Sequence, residues 1–195
     1  VDFQRQHEQV EIVLSVGDMA ADLVSERVDL AVRITNNLDP ALIARPLAQC
    51  RSMLCASPSY LAQHKAPRTA EDLIQHRCIG HAFGIGKQYK FTRLGKTVQA
   101  PVNWRLHTNE TAVLRRAVLS GAGIGILPTY YVGEDLRAGR LVQLLPDHEP
   151  EVFGIYAIYL SRQHQPLALR LLVDFLAVRF AGKTAPWDLD QRTRF

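Results

Sequence analysis

The sequence predicts an α/β fold in two lobes, and three features carry that prediction. Val10 to Val16, Met19 to Arg27 and Asp29 to Ile34 read as strand, helix and strand. From Cys78 to Leu106 the texture changes to short strand candidates broken by Gly84, Gly86 and Gly95, with no long helix. Gly154 to Leu160 and Pro166 to Phe180 then return to a strand and a long helix that match the opening cluster in texture. A chain that leaves one lobe, builds a second and comes back accounts for this order. The expected lobes are residues 1–56 with 153–182, and 57–152, with 183–195 as a tail.

In the first cluster, Met19, Leu23 and Val24 share a helical face behind an Asp18 cap, and so short a helical connection makes its two strands parallel neighbours. Pro40, Pro46, Pro58 and Pro67 punctuate the next stretch, in which Arg51 to Ser57 is a strand candidate and Thr69 to His76 a short helix capped by Thr69. Strands follow around Ile79, Tyr89 to Thr92 and Val98 to Leu106. Glu110 to Ser120 is a helix with Val113, Leu114, Ala117 and Val118 in one stripe. Arg140 to Leu145 is a further strand, and Leu169, Leu172, Val173 and Leu176 line one side of the last helix, whose first turn suits Pro166.

Leu119 to Pro128 holds three glycines at alternate positions, yet it runs from a helix into a strand. A phosphate-cradling loop runs the other way, from strand into helix, so that the helix N-terminus meets the anion. Gly121 and Gly123 therefore read as a helix stop, and a dinucleotide site is excluded on position.

The chain has 195 residues, 47% hydrophobic and 22% charged, which is ample for a core. No apolar run approaches the roughly 18 residues that span a bilayer, and no signal sequence opens the chain, so a cytoplasmic protein without a membrane partner is expected. Cys50, Cys55 and Cys78 are an odd number and read as reduced, buried thiols. The net charge is +4, but the 23 Lys and Arg residues are scattered rather than striped, so this segment is not built to grip DNA.

An ordered series of short pieces resembles the effector-binding domain of LysR-type transcriptional regulators. It comprises Glu26 to Ile34, Asp39 to Leu47, Leu54 to Leu61, Glu71-Asp72-Leu73, Thr108-Asn109-Glu110, Gly121 to Pro128, Ala138 to Val142 and Ile155 to Tyr159. The resemblance implies two Rossmann-like lobes of the type 2 periplasmic-binding-protein kind, with a small effector held in the cleft between them. It also implies a winged helix-turn-helix upstream that carries DNA binding, and a homodimer or homotetramer. The family's domain opens with a strand and a helix, and Val1 to His7 is similar to the last turns of that helix, so the first strand is expected ahead of Val1. Without it, unpaired buried backbone groups would cost roughly 1–3 kcal/mol each. The native protein is therefore expected to extend upstream.

Ligands of open α/β sheets bind beyond the carboxyl ends of the strands. Two such places are legible. Arg33, Thr35 and Asn36 end one strand, and Thr108 and Asn109 lead into a helix whose first N–H groups suit a carboxylate or another small anion. By themselves these residues also fit a helix cap and a surface ion pair; the resemblance implies that Thr108 and Asn109 line the effector cleft. His81 and Phe83 are candidates for a wall from the second lobe. His76, Cys78 and His81 lack a fourth partner and read as a buried turn, not a zinc site. No Gly-x-Ser-x-Gly elbow and no carboxylate pair is present, so neither catalysis nor a cofactor is expected. The preferred function is small-molecule sensing and dimerisation in a transcription regulator; the alternative is an exported solute-binding protein of a transport system.

Overall fold

A computed structural model describes residues 1–17, 23–82, 88–160, 165–182 and 184–191. In chain order its elements begin with α1 (Asp2–Gln6), β1 (Ala31–Thr35), β2 (Ile43–Cys50), β3 (Ser52–Ala56) and α2 (Pro58–Leu61). A 3-10 turn (Glu71–Gln75) precedes β4 (Arg77–His81), β5 (Gln88–Arg93), β6 (Lys96–Pro101) and β7 (Asn103–Thr108). Then come α3 (Thr111–Leu119), β8 (Ile124–Pro128), α4 (Thr129–Arg137), β9 (Val142–Gln143), β10 (Glu149–Pro150), β11 (Phe153–Tyr159), α5 (Leu167–Arg179) and a 3-10 turn (Pro186–Gln191). The chain divides into two compact units, Val1–Cys50 with Phe153–Pro186 and Arg51–Val152 with Trp187–Phe195. The boundary falls before β3, not after it, because β3 hydrogen-bonds to β8 and β9.

In the first unit, β11 lies between β1 and β2 and pairs antiparallel with both. The parallel neighbour expected for β1, Val10 to Val16, is not in the sheet. Pro46 sits inside β2 at a bulge, where Ile155 faces Ala48 and Tyr156 faces Pro46, leaving Leu47 as the extra residue. Phe3 of α1 is buried edge-on against Phe175 of α5, at 5.4 Å between ring centres. On α5 only Val173 of the expected stripe is fully buried, while Leu169, Leu172 and Leu176 are half-buried. Pro166 is the residue before α5's first turn.

The strand expected at Val10 to Val16 does not form. Its residues join no sheet, and Val13 is 89% exposed. A β-branched run becomes a strand only where a sheet edge and a core face receive it, since β-propensity measures fit to a half-buried pleated surface. Asp18 and Met19 lie outside the described residues; Leu23 to Arg27 form a turn, not a helix, with Leu23 buried and Arg27 at φ 52°.

In the second unit a five-stranded sheet has the order β7-β4-β8-β3-β9, with β4 parallel to both neighbours. Strand alternation sorts its core into two faces. Leu54, Ala56, Cys78 and Ile124 face one way, onto Tyr60, Leu73, Phe91 and Ala100. Cys55, Ile79 and Leu127 face the other, onto Leu114 and Val118 of α3 and Val132 of α4. Val113, expected in the α3 stripe, is half exposed. The expected strand from Val98 to Leu106 breaks at Val102 into β6 and β7.

Helix α3 ends as the sequence predicts. Gly121 adopts φ 80° and its N–H donates to Val118 O, while Ala122 N–H donates to Ala117 O, a Schellman stop. Gly123 has another role: a Cβ there would run into the carbonyl of Arg77. At Gly125 a Cβ would lie 2.8 Å from Val118 Cγ2, so hydrogen in place of a side chain lets α3 settle onto the sheet. Helix α4, which the sequence reading missed, stops the same way at Gly139.

Thr69 does not cap the 3-10 turn; the Asp72 carboxylate instead accepts from the Arg68 and Thr69 N–H groups. Beside it, the Tyr60 hydroxyl accepts from Arg77 N–H at 3.1 Å and lies 3.2 Å from His76 Nδ1, to which it can give its own proton. Given in that direction, the bond pairs with a neutral His76 whose Nδ1 is bare. Burial, followed by the proximity of His64, holds His76 below the ordinary histidine range.

Two outcomes follow from this packing. At the β5–β6 hairpin tip Leu94 takes φ 49° while 92% exposed, ahead of Gly95 at φ 73°. Leu94→Asn, which suits that turn, raises stability by about 0.5–1 kcal/mol in urea denaturation. Since His76 binds a proton more readily when unfolded, stability is full above the ordinary histidine pKa and declines as pH falls through it. His76→Gln flattens the decline, whose slope is at most about 1.4 kcal/mol per pH unit for one proton.

Candidate functional site

The site grows from a register choice at the ends of β4 and β7. Cys78 pairs with Trp104 and Ile79 with Leu106, which makes Arg105 a bulge. One extra residue shifts everything after it. Continuing the pairing without a bulge would bring His107 opposite His81; with it, Thr108 lies opposite His81 at the carboxyl end of the parallel pair. Alternation puts His81 on the face of Ile79, the face that α3 covers. His107 turns to the other face and packs against Trp104, at 4.9 Å between ring centres.

Helix α3 begins two residues beyond Asn109. Thr108 and Asn109 are not its N-cap; that position is Glu110, which has extended backbone and makes no side-chain cap bond. Thr108 Oγ1 instead accepts from Glu110 N–H at 3.1 Å, which leaves its hydroxyl proton as a donor. The first turn of α3 carries no acidic residue, but the Glu110 carboxylate stands at the N-cap, at the positive end of the helix dipole. The second unit thus gathers His81, Thr108 and Asn109 around one helix start, an arrangement whose chemistry is donation to a small anion. Phe83 lies outside the described residues.

Of the candidates in the first unit, Thr35 and Asn36 make local hydrogen bonds. Arg33 lies within β1 opposite Tyr156, half-buried on the side of Ala31 and Thr35. Thr35 Oγ1 accepts from Asn37 N–H at 2.9 Å, and Asn36 Oδ1 accepts from Gly154 N–H at 3.1 Å, so both side chains finish the end of β1. Also in this unit, a shallow depression of about 390 Å³ runs between α1 and α5 over Leu171 and Phe175, away from every candidate.

The three cysteines form no disulfide and all are buried. Burial, reinforced by the Asp135 charge, pushes the Cys55 thiol up to about 12, and burial takes Cys78 to about 11, so neither supplies a thiolate at neutral pH. Among the described residues no group of three or more His, Cys, Asp or Glu side chains is gathered for a metal ion. No helix there is long and apolar enough to cross a membrane.

One feature of the site had no signal in the local pattern. Asp135 of α4 is completely buried and accepts from Arg115 Nε of α3 at 2.6 Å and from Arg140 Nε at 2.7 Å. Desolvation raises its carboxyl, but the two guanidinium groups prevail and hold it below the usual carboxylate range. Asp135 and Arg140 are five apart in sequence, yet Arg115 comes from another helix, a pairing that only the packing of α3 on α4 reveals.

Residues 1–181 match the LysR substrate binding domain family. The chain is 34% identical over 196 residues to the probable HTH-type transcriptional regulator LtrA of Klebsiella pneumoniae, covering 94% of this chain and 62% of that protein. It is 34% identical to the HTH-type transcriptional regulator PtxR of Pseudomonas aeruginosa, covering 89% of this chain and 56% of that one. Among solved structures, full-length AphB of Vibrio cholerae superposes with a TM-score of 0.80 at 30% identity, over 92% of this chain and 62% of that one. The regulatory domain of CrgA from Neisseria meningitidis superposes with a TM-score of 0.78 at 28% identity, over 92% of this chain and 89% of that domain. The chain therefore spans about 60% of the full-length regulators it resembles.

Proposed function

Since this chain belongs to the LysR substrate binding domain family, we propose that it is the sensing part of a LysR-type transcription regulator and that its effector is a small organic anion. The carboxylate of the effector accepts from the Thr108 hydroxyl, the Asn109 side chain and the first N–H groups of α3, with His81 beside it. The observation that carries this reading is the β4–β7 register, which brings His81 opposite Thr108 beside the start of α3, where Glu110 at the N-cap is the acidic group the ligand must pass. Arg33, Thr35 and Asn36 are proposed as ligand contacts belonging to the first unit. No metal, cofactor or catalytic step is part of the proposal.

A sensor works only through differential affinity: the effector shifts the protein toward the state it binds more tightly, and by no more than that difference. In the whole protein, DNA binding by a helix-turn-helix outside these residues and self-association into a dimer or tetramer belong to the same proposal. The exported solute-binding alternative is not favoured, because the relatives named above are transcription regulators.

A thermal-shift panel of small mono- and dicarboxylates, each beside its neutral amide, tests the reading. A ligand at 100 times its Kd contributes about 2.7 kcal/mol, and each kcal/mol moves Tm by about 2–4 °C for a chain of this size. At least one carboxylate is expected to give such a shift, its amide is not, and Thr108→Val removes most of it. Equal shifts from acids and amides, or none from any acid, would count against an anion site.

A further inference from the structure

The ligand reading makes one quantity decisive, the position of the first turn of α3, and two kinds of contact hold that helix. Leu114 and Val118 press it onto Cys55, Ile79 and Leu127. Apolar contact of this kind is non-directional, so it fixes distance from the sheet better than register along it. The directional tie is Arg115, four residues after Thr111 and about 6 Å further along the axis. Its Nε donates to Asp135 at 2.6 Å, and its guanidinium carbon lies 6.0 Å from the centre of the Tyr131 ring, so α4 grips it from two sides.

Asp135 is itself fixed independently of α3. Its other carboxylate oxygen accepts from Arg140 Nε at 2.7 Å, and its carbonyl accepts from the N–H groups of Arg140 and Leu141 at the Schellman end of α4. A carboxylate with no exposed surface is costly to bury, and an apolar pair of similar volume would hold two helices together as well or better. What a part-buried ion pair of this kind, a buried carboxylate held by partly exposed arginines, adds over an apolar pair is a specified geometry. The anchor runs from the end of α4 through Asp135 to Arg115, one turn from the groups that meet the ligand.

We propose that Asp135 and Arg115 are positioning residues for the effector site: the pair sets the axial position of α3 and thereby the alignment of its first N–H groups with Thr108 and His81. Neither touches the ligand. The proposal rests on the anion-site reading, but it has a consequence in the ligand-free protein.

Replacing buried Asp135 risks unfolding the unit, so the test uses its two partners. Arg115→Met and Arg140→Met each remove one bond to Asp135, and only Arg115 lies on α3. Amide spectra of the 15N-labelled chain are recorded for both variants, followed by titration with inorganic sulfate as the anion probe. Arg115→Met is expected to displace the Ala112 and Val113 amide signals and to weaken sulfate about tenfold. Arg140→Met, at similar thermal stability, leaves these signals in place. Displacement by both variants alike, or by neither, overturns the positioning role. If wild-type protein shows no sulfate-dependent shifts at α3, the anion-site reading fails, while the ligand-free spectra still decide the positioning claim.

Discussion

How closely helix α3 can lie on its sheet is the constraint on which the second unit depends. The closeness exists because hydrogen stands where a side chain would collide. At Gly125 a Cβ would press on Val118 of α3; at Gly123 it would meet the Arg77 carbonyl, so that glycine sets the approach of β8 to β4. With α3 seated there, Leu114 and Val118 complete a core with Cys55, Ile79, Leu127 and Val132. Its first turn then projects past the carboxyl ends of β4 and β7, where parallel strands of α/β proteins present their ligands. The same glycines that resemble a phosphate loop in isolation therefore stop α3 and let it and β4 pack closely on β8.

What was legible in the sequence was whatever has a local signature. The Gly121 stop, the helix before it, the strand to Pro128 and the long final helix each follow from periodicity and turn chemistry, and each is present. The Arg105 bulge was not legible, because a one-residue shift in register depends on the partner strand. Helix α4 was hidden by Gly133 and two tyrosines, which lower helical propensity, although Gly139 marks its end. Val10 to Val16 misled for the complementary reason: the residues suit a strand, but a strand also needs a neighbour.

The candidate site was legible unevenly for the same cause. His81, Thr108 and Asn109 converge because strand ends and helix starts can be placed from sequence. Thr35 and Asn36 follow from equivalent reasoning, and their side chains also bond to backbone at the end of β1. Asp135 went unnoticed since a single carboxylate in a helical segment reads as surface. Its burial makes sense only when Arg115, brought by the packing of α3, joins Arg140 from the end of α4 itself.

The most direct test of the central claim is a crystal structure of the protein with the carboxylate that stabilises it most. The account predicts carboxylate oxygens about 2.7–3.2 Å from Thr108 Oγ1 and from N–H groups in the first turn of α3. A ligand bound instead in the depression between α1 and α5, or one whose carboxylate points away from α3, would contradict it.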